Sequence, residues 1–289
     1  MNFSLLLPLL LGLIPMLCLG IEYVANAKVS RQVGPLKAVF LFQLLGLPLL
    51  ILLLPLETHK IDINILYPLA LGVVFTFVLL LSFYAIKIGN VSITGPICQT
   101  SGFMTFVFGI LLLHETLGVL KLASGLLVLG GVILLAVNFK DLKKVNLEMF
   151  YKGVPHALVF AVGAGLFMVA SAAITREVGW ITTSLAIKIA IALTTFVLLI
   201  TRKNRVSEIF RGIPWKIAIL TATLDVISFS TYNFAATKFE VSYLAVFASA
   251  ASLVVIAIAS VFLKEKISSV QKIGVLLTVL GLIGIQFRA

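Results

Sequence analysis

Along the chain, apolar runs of about 20 residues, long enough to cross a bilayer, alternate with short charged or turn-forming clusters. Ten such runs can be marked: residues 4–27, 36–56, 65–87, 91–113 and 117–139, then 154–174, 180–201, 215–237, 241–263 and 268–287. Each predicts a helix, because backbone N–H and C=O groups in lipid must be satisfied within the segment itself. The one sizeable polar stretch between them is KDLKKVNLEMFYK, from Lys140 to Lys152. It divides the sequence into residues 1–139, a linker at 140–152, and residues 153–289, with five predicted spans in each half.

The halves echo one another. Tyr23–Gly34, YVANAKVSRQVG, returns 145 residues later as Met168–Gly179, MVASAAITREVG. At a spacing of 150, Ala85, Val91, Ser92, Leu113, Glu115, Leu126, Leu127 and Gly131 return as Ala235, Val241, Ser242, Leu263, Glu265, Leu276, Leu277 and Gly281. Two echoes in the same order indicate a duplicated unit. An odd number of spans per unit inverts the second copy in the membrane. The expected fold is therefore all-α and integral to the membrane, with ten transmembrane helices as two inverted five-helix repeats. Ser124, Gly125, Gly130 and Gly131 in the fifth predicted span, and Gly274, Gly281 and Gly284 in the tenth, suit close helix packing. Packing within the chain is the first reading of these residues, and a homodimer contact the second.

Composition agrees with lipid as the solvent. Hydrophobic residues make up 61% of the 289, charged residues 11%, and mean hydropathy is +1.19. The net charge of +11 could suggest nucleic acid, but the basic residues lie between apolar runs, with no basic domain or recognition motif. Cys18 and Cys98 both sit in apolar runs without metal-ligand spacing, so no metal and no cofactor is expected. The first twenty residues lack a positively charged start, so they read as a retained helix rather than a secretory signal.

Charge also orients the chain. Let side A be the side on which the first span begins. Sixteen Lys and Arg residues fall on side B and five on side A, with Lys188 inside a span, making up the 22. By the positive-inside rule, side B is cytoplasmic and both ends of the sequence lie outside, in a cell (inner) membrane.

Ionisable groups inside spans are costly and are functional candidates by default. Glu22 lies roughly 9 Å from the side B end of its helix, at 1.5 Å per residue. Asn26 shares its face one turn on. Tyr84 and Lys87, near the end of the third span, should lie at a similar depth, with Lys87 available to neutralise Glu22 or to snorkel. Lys188 and Asp225 lie roughly 12 and 18 Å from side A, within reach of one another. They read either as an ion pair joining two helices or as a ligand set for a substrate or cation. Lys188 stands where the other half has Gln43, and Asp225 where it has Phe75, so the centre should be chemically unlike on its two sides. Tyr232, Asn233, Gln99, Ser101, Ser249 and Ser252 could supply hydrogen bonds to a substrate or to neighbouring helices. Glu115 and Glu265 sit in turns and read as helix caps.

The turns Leu113-His114-Glu115-Thr116-Leu117 and Leu263-Lys264-Glu265-Lys266-Ile267 look like the L-x-E-x-[LI] turn that closes the fourth helix of each EamA repeat. Gly131 and Gly281, and Ala85…Val91-Ser92 with Ala235…Val241-Ser242, fit the same template. Over nearly its whole length the chain resembles EamA-type transporters of the drug/metabolite transporter superfamily. The resemblance implies two five-helix repeats around a cavity lined mainly by helices 1, 3, 4, 6, 8 and 9, and transport of small metabolites such as amino acids or related compounds. It also implies cytoplasmic termini, opposite to the charge count, and the charge count is followed here.

The expected function is thus secondary transport of a small molecule by alternating access, with protons as the candidate coupling ion. A lipid-linked flippase of the same fold would differ in cavity size, and a structural membrane protein would have no water-accessible cavity. An enzyme is not expected. His114-Glu115 begins like a zinc-protease helix, but Gly118 stands where the second His is required.

Overall fold

The computed structural model describes residues 3–59, 62–88, 97–136, 153–202, 206–262 and 268–286, all in helices and connecting turns. The helices are α1 (Phe3–Val33), α2 (Pro35–Leu53), α3 (Leu66–Ile88), α4 (Ser101–Leu112), α5 (Val119–Ala136), α6 (Val154–Val178), α7 (Trp180–Thr201), α8 (Trp215–Ala236), α9 (Val241–Ser249) with its continuation α9′ (Ala251–Phe262), and α10 (Ser269–Gly284). Among the described residues, seven stretches are long and apolar enough to cross a membrane, while Ile97–Leu112, Val119–Leu135 and Ser269–Gly284 are shorter apolar helices. The linker 140–152 lies outside the described residues, as do Val91, Ser92 and Glu265 of the repeat pattern.

α1 and α6 run six and four residues past the predicted ends at 27 and 174, through the charged turns Lys28–Arg31 and Arg176–Glu177. Long charged side chains at a helix end reach the interface without breaking the backbone. What stops both helices is glycine: Gly34 at φ 88, ψ 155 and Gly179 at φ 97, ψ 153. Residues with a Cβ rarely adopt such a φ. The two repeats therefore turn by the same backbone device, 145 residues apart.

Helix crossings obey the same arithmetic. A Cβ on Gly165 in α6 would lie 2.5 Å from Met104 in α4. Subtracting 145 and adding 150 gives the contact of Gly20 in α1 with Val254 in α9′, which is also observed. A Cβ on Gly274 would meet the Gly131 carbonyl at 2.7 Å, and one on Gly281 the Ser124 carbonyl at 2.6 Å. Under the 150-residue shift, those two contacts exchange. Gly131, Gly274, Gly281 and Gly284, with Ser124, are thus spent on the packing of α5 and α10 against each other, as the intramolecular reading expects, whereas Gly125 meets Phe106 of α4 and Gly130 faces open space. The helical ladder is interrupted at Thr100 before α4 and at Ala250 between α9 and α9′, again 150 apart. A pseudo-two-fold relation between the two repeats accounts for all of these pairs.

Candidate functional site

Three charged side chains gather beside the axis of that relation. Lys188 on α7 is 2% exposed, and its ammonium is held by the Asp225 carboxylate on α8. The same Nζ donates to Gln43 Oε1 on α2 at 3.1 Å. Gln43 is the repeat counterpart of Lys188, so the axis passes between the two side chains. Gly46 on α2 lies beside the lysine stem and lets α2 approach Val226 of α8: a Cβ there would lie 2.9 Å from Val226 Cγ2 and in ordinary contact with Lys188 Cδ at 3.6 Å. Glu22 on α1 is half-buried and lies within electrostatic reach of both charges, repelled by Asp225 and attracted by Lys188. Among the described residues it forms no ion pair of its own. Asn26, one turn along α1, has its Oδ1 buried without a hydrogen-bond partner.

The repeat partners of these residues form the opposite chemistry. Phe167 on α6 stands where α1 has Glu22, and Phe75 on α3 where α8 has Asp225. The two rings stack, with centroids 3.6 Å apart and planes 10° apart. Phe229, one turn from Asp225 on α8, stacks on Phe167 at 5.8 Å and 14°. The charged cluster therefore lies one helical turn along α8 from a packed aromatic one.

Packing closes side A around this site. One large apolar cluster joins both repeats there, including Leu11 and Met16 of α1, Phe106 of α4, Val169 of α6, Tyr232 of α8 and Val241–Phe247 of α9. Toward side B, the described residues form three clusters: Val29, Ala38, Leu41 and Leu199 belong to one, Ala85, Cys98 and Ala157 to another, and Val39, Phe167, Ile187 and Ile191, with Leu80 and Phe83, to a third that joins α2 and α3 to α6 and α7. The inner face of α1 follows suit: Leu11 and Pro15 are buried, whereas Cys18, Glu22 and Asn26 on the same face are half-exposed.

Two carboxylates fasten side A. His114 at φ 51 turns the chain after α4, so that Glu115 accepts from Val241 N at 2.6 Å, Ser242 N at 2.8 Å and Ser242 Oγ at 2.7 Å at the start of α9. Arg176 pairs with Glu115 at 3.6 Å, and its Nε donates to the Ala236 carbonyl at the end of α8. Glu57 accepts from Ile181 N at 2.9 Å and Thr182 N at 3.2 Å at the start of α7. Burial pushes the Glu57 carboxyl up, but N–H donation from Thr182, His59 and Ile181 outweighs it and holds the pKa below the usual carboxylate value. That Glu115 serves as a cap is legible in the sequence, but the helix start beside it there is that of α5, whereas the one it caps is that of α9, 126 residues away. Glu57 escaped notice there, because nothing in ETHKIDIN announces a contact 124 residues away.

The remaining candidates are dispersed. Asn233 is fully buried, with its Oδ1 accepting from Ser171 Oγ at 3.0 Å and its Nδ2 donating to Ser184 Oγ at 2.8 Å, which ties α6, α7 and α8 together. Tyr232 donates to the Met168 carbonyl at 3.4 Å, at the side A end. Tyr84 packs edge-on against His156, centroids 5.1 Å apart. Gln99 is half-buried in the turn before Thr100, and the side chain of Lys87 lies outside the described residues. No contact among the described residues brings Tyr84, Gln99, Tyr232 or Asn233 to the Lys188–Asp225 pair. No group of three or more His, Cys, Asp or Glu suited to a metal occurs among the described residues.

Duplicated helical repeats with charged groups held between them are an architecture shared by many secondary transporters. The model of the EamA-like transporter family matches residues 6–137 and 151–287, and the chain belongs to that family. A crystal structure described only as that of a protein superposes with a TM-score of 0.74 at 18% identity, covering 96% of each chain, and so shares the fold. No curated protein matches the chain.

Proposed function

We propose that the chain is a ten-span, gradient-driven carrier of small metabolites that works by alternating access, with Glu22, Lys188 and Asp225 at its central site. The observation that carries this reading is the charged trio beside the pseudo-two-fold axis of a transporter fold, where an unpaired charge is costly and a structural protein would place apolar groups. The packing supports a conformation closed on side A. By the positive-inside rule, side B is the cytoplasmic face, so this is the inward-facing state and both ends of the sequence are outside. Rocking of the repeats against one another would then exchange which side is closed.

Of the two carboxyls, Asp225 is tied to Lys188, and Glu22 has no cation of its own among the described residues. Glu22 is thus the group free to take up and release a proton as its surroundings change. A proton crossing a one-unit pH step yields about 1.36 kcal/mol, a tenfold accumulation for one-to-one coupling. The test is flux of candidate metabolites in reconstituted vesicles, with and without an imposed pH step. Wild type should be stimulated by the step, while Glu22→Gln should exchange substrate but gain nothing from the gradient. Equal stimulation of both removes Glu22 from the coupling, and no flux of any metabolite in wild type defeats the transport reading.

A further inference from the structure

The turn that joins α7 to α8, on side B, is strongly basic and has a defined shape. From Arg202 to Lys216 the sequence carries five basic residues and one acid, Glu208. A basic loop is by default a topology signal, and such a signal needs no fixed geometry. This loop is fixed. Ile209 and Ile213 are buried in one cluster with Val29 of α1, Ala38 and Leu41 of α2 and Leu199 of α7. The Glu208 carbonyl, in the short helical turn Val206–Ile209, accepts from Lys37 Nζ on α2 at 2.9 Å and from Arg211 N at 3.4 Å. Gly212, at φ 73, turns the chain between the two buried isoleucines.

With the isoleucines turned inward, Phe210 and Trp215 are left exposed. Their rings stack with centroids 6.5 Å apart and planes 9° apart, and Phe210 lies edge-on to Phe40 of α2 at 6.3 Å. Arg211 and Lys216 follow these two rings in the sequence, and Arg202 ends α7 beside them. All three are exposed, and none has an ion pair among the described residues. Aromatic rings at the end of spanning helices settle where acyl chains meet head groups, and cations at that level meet the phosphates. A zwitterionic head group brings its own cation with its phosphate, so unpaired Arg and Lys favour lipids of net negative charge. The duplicated fold does not require this surface. The first repeat's turn after α2, Glu57–Asn64, has two acids and one lysine in its sequence and neither Phe nor Trp. Its Glu57 is spent on the start of α7.

We propose that this loop binds the head groups of anionic phospholipids on Arg202, Arg211 and Lys216, with the acyl chains against Phe210 and Trp215. The proposal holds whatever the chain transports. The sequence has two tryptophans, so Trp180→Phe leaves Trp215 as the sole reporter. The full chain in this background is reconstituted into phosphatidylcholine bilayers that contain a small, equal fraction of brominated phosphatidylglycerol or brominated phosphatidylcholine. Quenching of Trp215 by bromine then reads which lipid sits beside the loop. Each basic residue near an anionic surface strengthens binding about fivefold, so three of them, partly screened by salt, should give phosphatidylglycerol roughly a tenfold preference or more. Changing all three, Arg202→Gln, Arg211→Gln and Lys216→Gln, should cut that preference at least about fivefold. Arg202→Lys with Arg211→Lys keeps the charges and should keep the preference. Equal quenching by the two lipids overturns the proposal, as does an undiminished preference in the glutamine variant. A preference lost in the lysine variant as well would tie it to guanidinium packing rather than charge, and relief of quenching by inorganic phosphate would assign the cations to the free anion; either result overturns it.

Discussion

Removing the buried ammonium gives the most direct measure of how the site is held together. Lys188→Met keeps the unbranched stem beside Gly46 and deletes the charge that serves Asp225 and Gln43. Taking one partner from a buried ion pair costs about 3–5 kcal/mol, because the other charge is left uncompensated. Adding Asp225→Leu removes the stranded carboxylate, and apolar replacement of a whole buried pair is close to neutral, so the double variant should return to within about 1 kcal/mol of wild type. Unfolding midpoints of the four proteins in detergent complete the cycle. A double variant less stable than either single one, or a Lys188→Met variant as stable as wild type, refutes the argument.

Four other outcomes are expected. Glu115→Ala removes every acceptor at the start of α9 and should cost about 2 kcal/mol, whereas Arg176→Met, acting at a side chain 40% exposed, should cost under about 1; comparable losses would contradict the capping role. Gly281→Ala drives a Cβ to 2.6 Å from the Ser124 carbonyl and should cost about 1–3 kcal/mol, while Gly130→Ala, with open space around it, should be neutral or stabilising by up to about 1; both are read as unfolding midpoints. The Glu57 cap has a depressed carboxyl pKa, so its contribution is complete above 4.5 and is lost as pH falls through the lower folded value. The midpoint difference between wild type and Glu57→Gln should accordingly narrow only in acid. Reporter fusions at Ala289 and Asn204 should be active outside and in the cytoplasm respectively, and a cytoplasmic Ala289 reverses the orientation.

What the sequence disclosed depended on periodicity and spacing. The apolar helices, the duplication and the Lys188–Asp225 proximity could all be read, because each follows from spacing, apolar run length or helix rise; the glycines that close α1 and α6 were seen only as repeated residues. Contacts that depend on which helices neighbour each other could not. Asn233 reads equally well as a cavity ligand or a helix clamp until α6 and α7 are seen beside it. Tyr84 lies at the depth of Glu22, yet faces His156, because depth fixes only one coordinate and rotation about the helix axis is set by packing. Glu57 needed the loop after α2 to be placed over the start of α7.

The repeat also separates scaffold from site in a way that helix prediction alone does not. Residues at backbone crossings answer to geometry that the two halves share. A glycine that lets α6 meet α4 must have its counterpart where α1 meets α9′, or one crossing would be held apart by a side chain. Gly20 and Gly165, Gly131 and Gly281, and Gly34 and Gly179 therefore agree across the duplication. Residues facing the axis from the inside answer to whatever lies between the halves, and an asymmetric molecule relaxes the demand for likeness. Glu22 against Phe167, Asp225 against Phe75 and Lys188 against Gln43 are departures of this second kind. In an inverted-repeat carrier, positions that differ most sharply in chemistry while remaining equivalent in space are where a substrate's own asymmetry is recorded.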